Sequence, residues 1–477
     1  MTKAEPDIGP LLFSEGYYSD RARHRLAVVL GSAEPPPDVT VQGSAVVPTR
    51  IDCIEGYEFW RFAFVLPEGG GEYTVAGRPY PVHLGAPGAD LRVGFVSCNG
   101  KEDGDFDRPE AVRQVMWVRL AETHRNTPLS LLIHGGDQIY ADGALYAYPD
   151  LERWQDLPPR HRHEIVPTPE VEAAVTRFFF DRWRRNVTAL GTAQLLAEVP
   201  SVAMWDDHDI FDGYGSQPEG VEDSPTGEML FRVARRFFRL FQAGGRQPAL
   251  SGTETFGLRQ PGFSVLLPDL RSERGRRRVM GPDGWAETKR HVAALPPHEP
   301  LLVVSTVPAL GPRLSLLEGL HRVVPGMQKY EDDLRDQWQS RAHRAEWRRF
   351  LSIFAERAET GAPVTFVSGE IHLAARGEMT TPSGTVLHQL IASGISHPPP
   401  PRGFARALGV LGALGDAPLA NHPIRLLPLP GGRRRFEAER NFLVLDRTVG
   451  RWRAAWELEG RGRTPWLALP AGGAGAS

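Results

Sequence analysis

The 477-residue chain has almost no cysteine: Cys53 and Cys98 are the only two. Two thiols allow one bridge at most, so a disulfide framework is excluded. Long apolar runs are missing as well. No stretch approaches the ~18 uninterrupted apolar residues that a membrane-crossing helix needs. The opening residues, MTKAEPDIGPLLFSEGYYSD, carry neither a twin arginine nor the apolar core of a secretion signal. The expected location is therefore the cytoplasm. An excess of one charge is also lacking, since 55 Lys and Arg face 58 Asp and Glu, leaving −3. That balance gives no electrostatic case for nucleic acid or an anionic membrane as partner. Proline (42) and glycine (50) are abundant, as expected of many loops between short elements. The length suits one large domain with a smaller one beside it.

Residues 1–88 read as β-rich. RLAVVLG, AVVPTRIDCI and YEFWRFAFVLP mix β-branched and aromatic residues, with turns at EPPPD and PEGGGEY. A small N-terminal β-sandwich is expected there, with Cys53 as a plain buried thiol. From residue 89 the pattern changes. Short apolar runs end in chemically loaded residues and alternate with helical stretches. LRVGFVS leads into Cys98, LSLLIHGG into Asp137, PSVAMW into Asp206–Asp209, and VTFVSG into Glu370 and His372. FSVLLPDLRSER and LLVVSTVP have the same apolar character. Runs of this kind suit central strands buried on both faces. PEAVRQVMWVRLAETH, TPEVEAAVTRFFFDRWRRNV and GEMLFRVARRFFRLFQAG carry helical periodicity. A layered α/β domain over 89–469 follows. Within it, 401–435 reads as an irregular loop, 440–460 as a C-terminal β-hairpin, and 470–477 as a mobile tail. No internal repeat is visible.

In open α/β sheets, functional groups collect beyond the carboxyl ends of the strands. A single aspartate there is ordinary turn or cap chemistry. Four strand ends bearing Cys98, Asp137 with Tyr140, Asp207 with His208, and Glu370 with His372 are harder to explain that way. Ligand chemistry sorts them into two sites. Cys98, Asp137, Tyr140 and His372 offer a thiolate, a carboxylate, a phenolate and an imidazole, an electron-donating set suited to Fe3+. Asp207 and Glu370, with Asp137 shared, offer oxygen alone and suit Ca2+, Mg2+ or Mn2+. A bridging Asp137 would hold two ions ~3.5–4 Å apart, as two-metal hydrolysis requires. His208, next to Asp207, is expected to protonate a leaving oxygen or stabilise the transition state. Asn99 is a candidate hydrogen-bond donor to a phosphate oxygen, and Arg271 and Arg274 are candidate clamps for phosphate. His134 reads as a supporting residue, the RGRRRV run as a solvated loop, and Trp205 and Trp338 as packing residues.

SC at 97–98, HGGDQIY at 134–140, WDDHD at 205–209 and SGEIH at 368–372 are similar to the motifs of the alkaline phosphatase D (PhoD-like) metallophosphatases, in order and spacing. LPDLRSER and DQW at 336–338 resemble further segments of that family. The likeness spans about residue 90 to 395. It implies a four-layer αββα calcineurin-like sandwich, an iron–calcium centre, and hydrolysis of phosphate monoesters or diesters. It also implies the metal-ligand roles of Cys98, Asp137, Tyr140, Asp207 and His372. Position 370 is Glu where the family usually has Asp, and the segment after DQW lacks the family's Gly-Tyr.

The expected activity is attack on phosphorus by a metal-activated hydroxide, with a small phosphate ester as the partner. A dedicated phosphodiesterase for nucleotide or phospholipid head-group substrates is the neighbouring reading. A non-catalytic, metal-stabilised binding protein is the alternative of another class.

Overall fold

The computed structural model describes residues 5–33, 35–311, 336–369 and 371–469. Two sheets face each other at its centre. The larger has eleven strands and the second has eight, while a four-stranded sheet stands apart. In the larger sheet, Leu91–Val96, Leu131–Gly135 and Ser201–Met204 run parallel, with Leu132 in register with Ser201 and Leu131 with Val93. In the second, Phe263–Leu267, Leu301–Val304, Val364–Ser368 and Val386–Ala392 are also parallel.

Alternation along these strands builds the layers, because successive side chains point to opposite faces. Phe95, Ile133 and Val202 of the larger sheet share one apolar cluster with Val265, Leu302, Val304 and Leu390 of the second, filling the space between the sheets. The residues beside them point outward. Val96 and Leu132 pack with Met116, Trp117 and Leu120 of the helix Val115–Asn126, and with Leu195 of the helix Thr192–Glu198. On the other side, Val303, Val364 and Phe366 pack with Trp347, Phe350 and Phe354 of the helix Arg344–Glu359. The order is helix, sheet, sheet, helix, the layered sandwich expected. The long helices Pro169–Val187 and Pro225–Phe241 form as their periodicity predicts and add Phe179, Trp183, Phe237 and Phe241 to the central cluster.

The first 88 residues do form two packed β layers. Leu12, Leu26, Val28 and Phe62 meet Val39, Tyr73, Val75 and Val82 of the four-stranded sheet. They are not a separate domain, however. The strand Ile8–Tyr18 pairs in parallel with Ser201–Met204, so the N-terminal strands extend the eleven-stranded sheet itself. The opposite face of the same strands, with Leu11, Phe13, Val29 and Phe59, joins the central cluster. That pairing joins residues nearly two hundred positions apart, and no local pattern announces it.

Three further expectations are corrected. Residues 401–435 are not wholly irregular, since they hold the helix Arg402–Leu411 and the strand Ile424–Leu427. Cys53 is exposed, because the strand Pro48–Ile54 lies at the sheet edge and turns most of its side chains toward solvent. In the RGRRRV run only Arg276–Arg278 are exposed, while Arg274 is buried. The hairpin is present, with Asn441–Thr448 pairing antiparallel to Arg451–Leu458. The tail 470–477 lies outside the described residues. No helix among the described residues is long and apolar enough to cross a membrane.

Candidate metal centre

The parallel strands of both sheets deliver their carboxyl ends to one side. Cys98 and Asn99 follow the first of them, Asp137 and Tyr140 the second, Asp206–Asp209 the third, and His372 follows Val364–Ser368. The loops are pressed together. The Cys98 amide donates to the Gly136 carbonyl at 3.1 Å and the Asn99 amide to the Asp137 carbonyl at 2.7 Å. Gly136 has φ +99°, and a Cβ there would stand 2.7 Å from Asp206 Cβ, so only glycine permits the approach.

Backbone strain marks the same positions. Cys98, Asp137 and His372 lie at φ +53°, +53° and +50°. Non-glycine residues rarely occupy the left-handed region, and such cost is tolerated where the surroundings enforce it, most often at functional sites. Here the enforcement is visible. Asp209 accepts the amides of Asp137 (2.9 Å), Gln138 (3.0 Å) and Ile139 (3.2 Å), together with that of Asp206 (2.9 Å). The Ser393 hydroxyl accepts the His372 amide at 3.0 Å and donates to Cys98 Sγ at 3.1 Å.

Polar atoms at the centre of this arrangement have no partner. Asp137 Oδ1, the Tyr140 hydroxyl and His372 Nδ1 are each buried without a hydrogen bond. Such atoms are costly to leave unsatisfied. The Cys98 thiol lies 3.4 Å from Asp137 Oδ2, while the His372 donor atoms gather with Glu102 and His397 rather than with Asp137. The residues fit a cation.

Electrostatics point the same way. Burial pushes the Asp137 carboxyl well above its ordinary range. His208 pulls it down, and the charges of Asp207, Asp206 and Asp209 push it up again. Burial, then Cys98 and Asp137, raises the Tyr140 phenol, and burial, then His397, lowers the His372 imidazole. A cation would reverse each of these penalties. Among the described residues, three groups have donor atoms close enough to share an ion: Asp137, Asp206 and Asp207; Asp207, His208 and Asp212; and Glu102, His372 and His397.

Asp207 binds the Gly213 amide at 2.9 Å. Glu370 lies outside the described residues. His208 Nδ1 stands 3.0 Å from Asp142 Oδ2, and its ring lies 4.4 Å from that of Tyr140. Burial works against the His208 cation, but Asp142 and Asp207 outweigh it and hold its pKa well above the ordinary value.

Three candidates for contact with phosphate are held by partners within the protein. Those of Asn99 leave one of its two amide hydrogens uncommitted. Its Oδ1 accepts from Trp117 Nε1 (2.9 Å) and Ser396 Oγ (3.1 Å), and its amide nitrogen turns to the Gln138 carbonyl (3.4 Å). Arg271 is no open phosphate clamp. It is fully buried, and its guanidinium is committed to Asp206, to Asp336, and to the Tyr214 carbonyl at 3.1 Å. It approaches the site only through Asp207 Oδ1, at 3.5 Å. Arg274 is likewise buried and paired with Asp336 at 3.0 Å. His134 supports the loop, at 2.9 Å from Gln138. Trp205 and Trp338 are buried and packed.

Residues not anticipated from the sequence are Asp209, Asp142, Glu102 and His397. His397 stacks on His372 at 3.5 Å between ring centres, and its Nε2 lies 3.1 Å from Glu102 Oε1. Asp209 stood within the WDDHD run and could have been singled out. Glu102 and His397 sit in loops with no periodic signal.

A two-sheet sandwich with ligands gathered at its strand ends defines the calcineurin-like metallophosphoesterase fold, and a solved structure of PhoD shares it. That structure superposes with a TM-score of 0.59 at 12% identity, covering 98% of this chain and 90% of the other. A family model described as PhoD related phosphatase matches residues 111–331. That match takes in somewhat under half of the chain, which resembles the PhoD-like phosphatases there. An uncharacterized protein of Saccharomyces cerevisiae, YGR266W, is 24% identical over 504 residues, covering 80% of this chain and 71% of the relative.

Proposed function

We propose that the chain hydrolyses phosphate monoesters, diesters or both at a two-metal centre. The observation that carries this reading is the gathering of strand-end residues in which Cys98, Asp137 and His372 sit at positive φ, while Asp137 Oδ1, the Tyr140 hydroxyl and His372 Nδ1 are buried without a hydrogen bond. Cys98, Asp137, Tyr140 and His372 would hold Fe3+. Asp207 and Glu370, with Asp137 shared, would hold Ca2+, Mg2+ or Mn2+. When bound, such a pair activates water and stabilises charge on the phosphoryl and leaving oxygens.

The chain's own residues supply position and a proton. Asp209 locks the Asp137 loop through three amides, so the shared carboxylate keeps its place without relying on its own backbone preference. Asp142 takes the Nδ1 proton of His208 as a hydrogen bond and fixes the ring against Tyr140. That leaves Nε2 to deliver a proton to the leaving oxygen. Arg271 steadies Asp207 from below while its remaining donors are held by Asp206 and Asp336.

The test is elemental analysis of gently purified protein, followed by assay with p-nitrophenyl phosphate and bis(p-nitrophenyl) phosphate. The expected result is iron with calcium, magnesium or manganese, and turnover of at least one ester. Zinc without iron sinks the ligand sorting. A metal-loaded protein inert to both esters sinks the activity.

A further inference from the structure

A second charged cluster lies beside the metal centre, and its charge is of the opposite sign. The guanidinium carbons of Arg113, Arg182 and Arg185 stand 4.5, 4.8 and 5.1 Å from the centre of one ring, that of Phe106. Arg108 adds a fourth guanidinium two residues on. Cation–π attraction accounts for one or two such contacts, but like charges crowded on one ring repel each other.

The acids nearby do not balance them. Asp105 is buried and serves both Arg108, in contact with its Oδ1, and Arg182, at 3.6 Å from its Oδ2. Arg113 is 8% exposed, and its Nε has no hydrogen-bond partner. Arg182 Nη1 is likewise without a hydrogen bond. Burial lowers the Arg182 pKa, Asp105 and Asp142 raise it, and Arg185 and Arg113 lower it again. A buried guanidinium with unused donors is costly unless something anionic reaches it. Phe106 is half-buried and Arg185 exposed, so the cluster opens to solvent.

The cluster also touches the rim of the metal centre. Arg108 Nη1 donates to the Ser396 carbonyl at 3.0 Å, one residue before His397. Arg182 packs on Gly143, which follows the Asp142 that holds His208.

We propose that Arg108, Arg113, Arg182 and Arg185, gathered round Phe106, bind a second phosphate-like anion beside the reacting phosphoryl group. This rests on the phosphoesterase reading for its meaning, though not for its existence. Guanidinium forks suit the oxygens of a phosphate, whether it is carried on the substrate or free.

Calorimetric titration of the full-length chain with pyrophosphate, in the presence of a chelator, tests the site directly. Stripping the metals leaves an acidic centre that repels anions, so binding reports the arginines. Saturable binding is expected, weakened tenfold or more in Arg185→Gln and in Arg113→Gln. Arg185 is exposed, so its variant keeps the fold if the Arg113 variant does not. No binding by wild type, or unchanged binding by Arg185→Gln, overturns the proposal.

A kinetic arm on metal-loaded protein separates the two sources. It compares kcat/KM for propanediol 1,3-bisphosphate and propyl phosphate. A substrate-borne anion predicts that the ratio falls tenfold or more in Arg185→Gln, and a free one that the ratio stays. Turnover of neither ester counts against the esterase reading alone, because the titration still decides the site.

Discussion

Asp206 and Asp207 are adjacent in sequence and opposite in circumstance. Asp206 is buried and accepts from Arg271 and from the Thr306 hydroxyl at 3.1 Å. Its neighbour faces the ligand cluster, with the Gly213 amide and a distant Arg271 contact at 3.5 Å as its support. The contrast extends outward from the pair. Around Asp206 lies a closed network in which Arg271, Arg274, Asp336 and Ser216 are paired. Around Asp207 lie Asp137 and Tyr140, with buried atoms left open. Proteins satisfy buried polar groups wherever they can. The paired network serves as scaffold, and the open one is where the proposed metals would complete the structure.

The sharpest way to break that comparison is to remove the carboxylate both metals would share. Asp137→Asn should abolish binding of both ions and reduce ester hydrolysis to background, while the fold survives. Loss of a buried charge from a crowd of carboxylates relieves repulsion, so the metal-free variant should melt no lower than metal-free wild type. Elemental analysis with a melting curve checks both halves. Retention of either ion at full stoichiometry removes Asp137 from the bridging position.

The next effect belongs to His208. If it protonates the leaving oxygen, its loss costs ~10²–10⁴ in rate, or roughly 3–5 kcal/mol of barrier, where that oxygen is strongly basic. His208→Ala should therefore suffer far more with an alkyl phosphate than with the p-nitrophenyl ester. Equal losses would make it an electrostatic stabiliser of the phosphoryl oxygens. No loss with either ester would leave it a packing partner of Tyr140.

The scaffold side of the comparison predicts a stability effect. Arg271→Ala leaves Asp206 buried without its counter-charge and Asp336 with Arg274 alone. Breaking a buried ion pair by removing one partner typically costs about 3–5 kcal/mol. Denaturant unfolding should register that loss in metal-free protein. An effect confined to catalysis, with stability intact, would return Arg271 to the role of phosphate clamp that its sequence context suggested.

What was legible in the sequence follows the same division. The apolar runs are local, so their strands, their alternation and the residues at their ends could be read directly. Cys98, Asp137, Tyr140, Asp207, His208 and His372 all stand at those ends. Arg271 was misread because a run such as LPDLRSER does not reveal which carboxylates its arginine will meet. Those are Asp206 and Asp336, both 65 positions away. The partners that hold Asn99 are equally remote from view, since Trp117 and Ser396 donate to its side-chain carbonyl. Glu102 and His397 come from loops and Asp142 opens the short helix Asp142–Tyr146, where no periodicity singles out one polar residue. Continuity of the N-terminal strands with the catalytic sheet depends on the pairing of Phe13 with Ser201 and was invisible locally.

Tyr140 gives the smallest effect and the most discriminating sign. Its hydroxyl is buried without a partner, and its ring packs between His208 and His397, at 4.4 and 5.3 Å between centres. Tyr140→Phe keeps the ring and deletes the unsatisfied group. Removing a buried polar group that has no partner relieves a desolvation cost of about 1–3 kcal/mol. Metal-free Tyr140→Phe should accordingly be more stable than metal-free wild type, by the order of 1 kcal/mol. With iron present the sign should reverse. A phenolate bound to Fe3+ gives wild type a visible charge-transfer band and added stability, and the phenylalanine variant loses both. Melting curves with and without iron, alongside visible spectra, test the reversal. A variant that is less stable in both states, with an unchanged spectrum, would move Tyr140 from the open side of the comparison to the closed one.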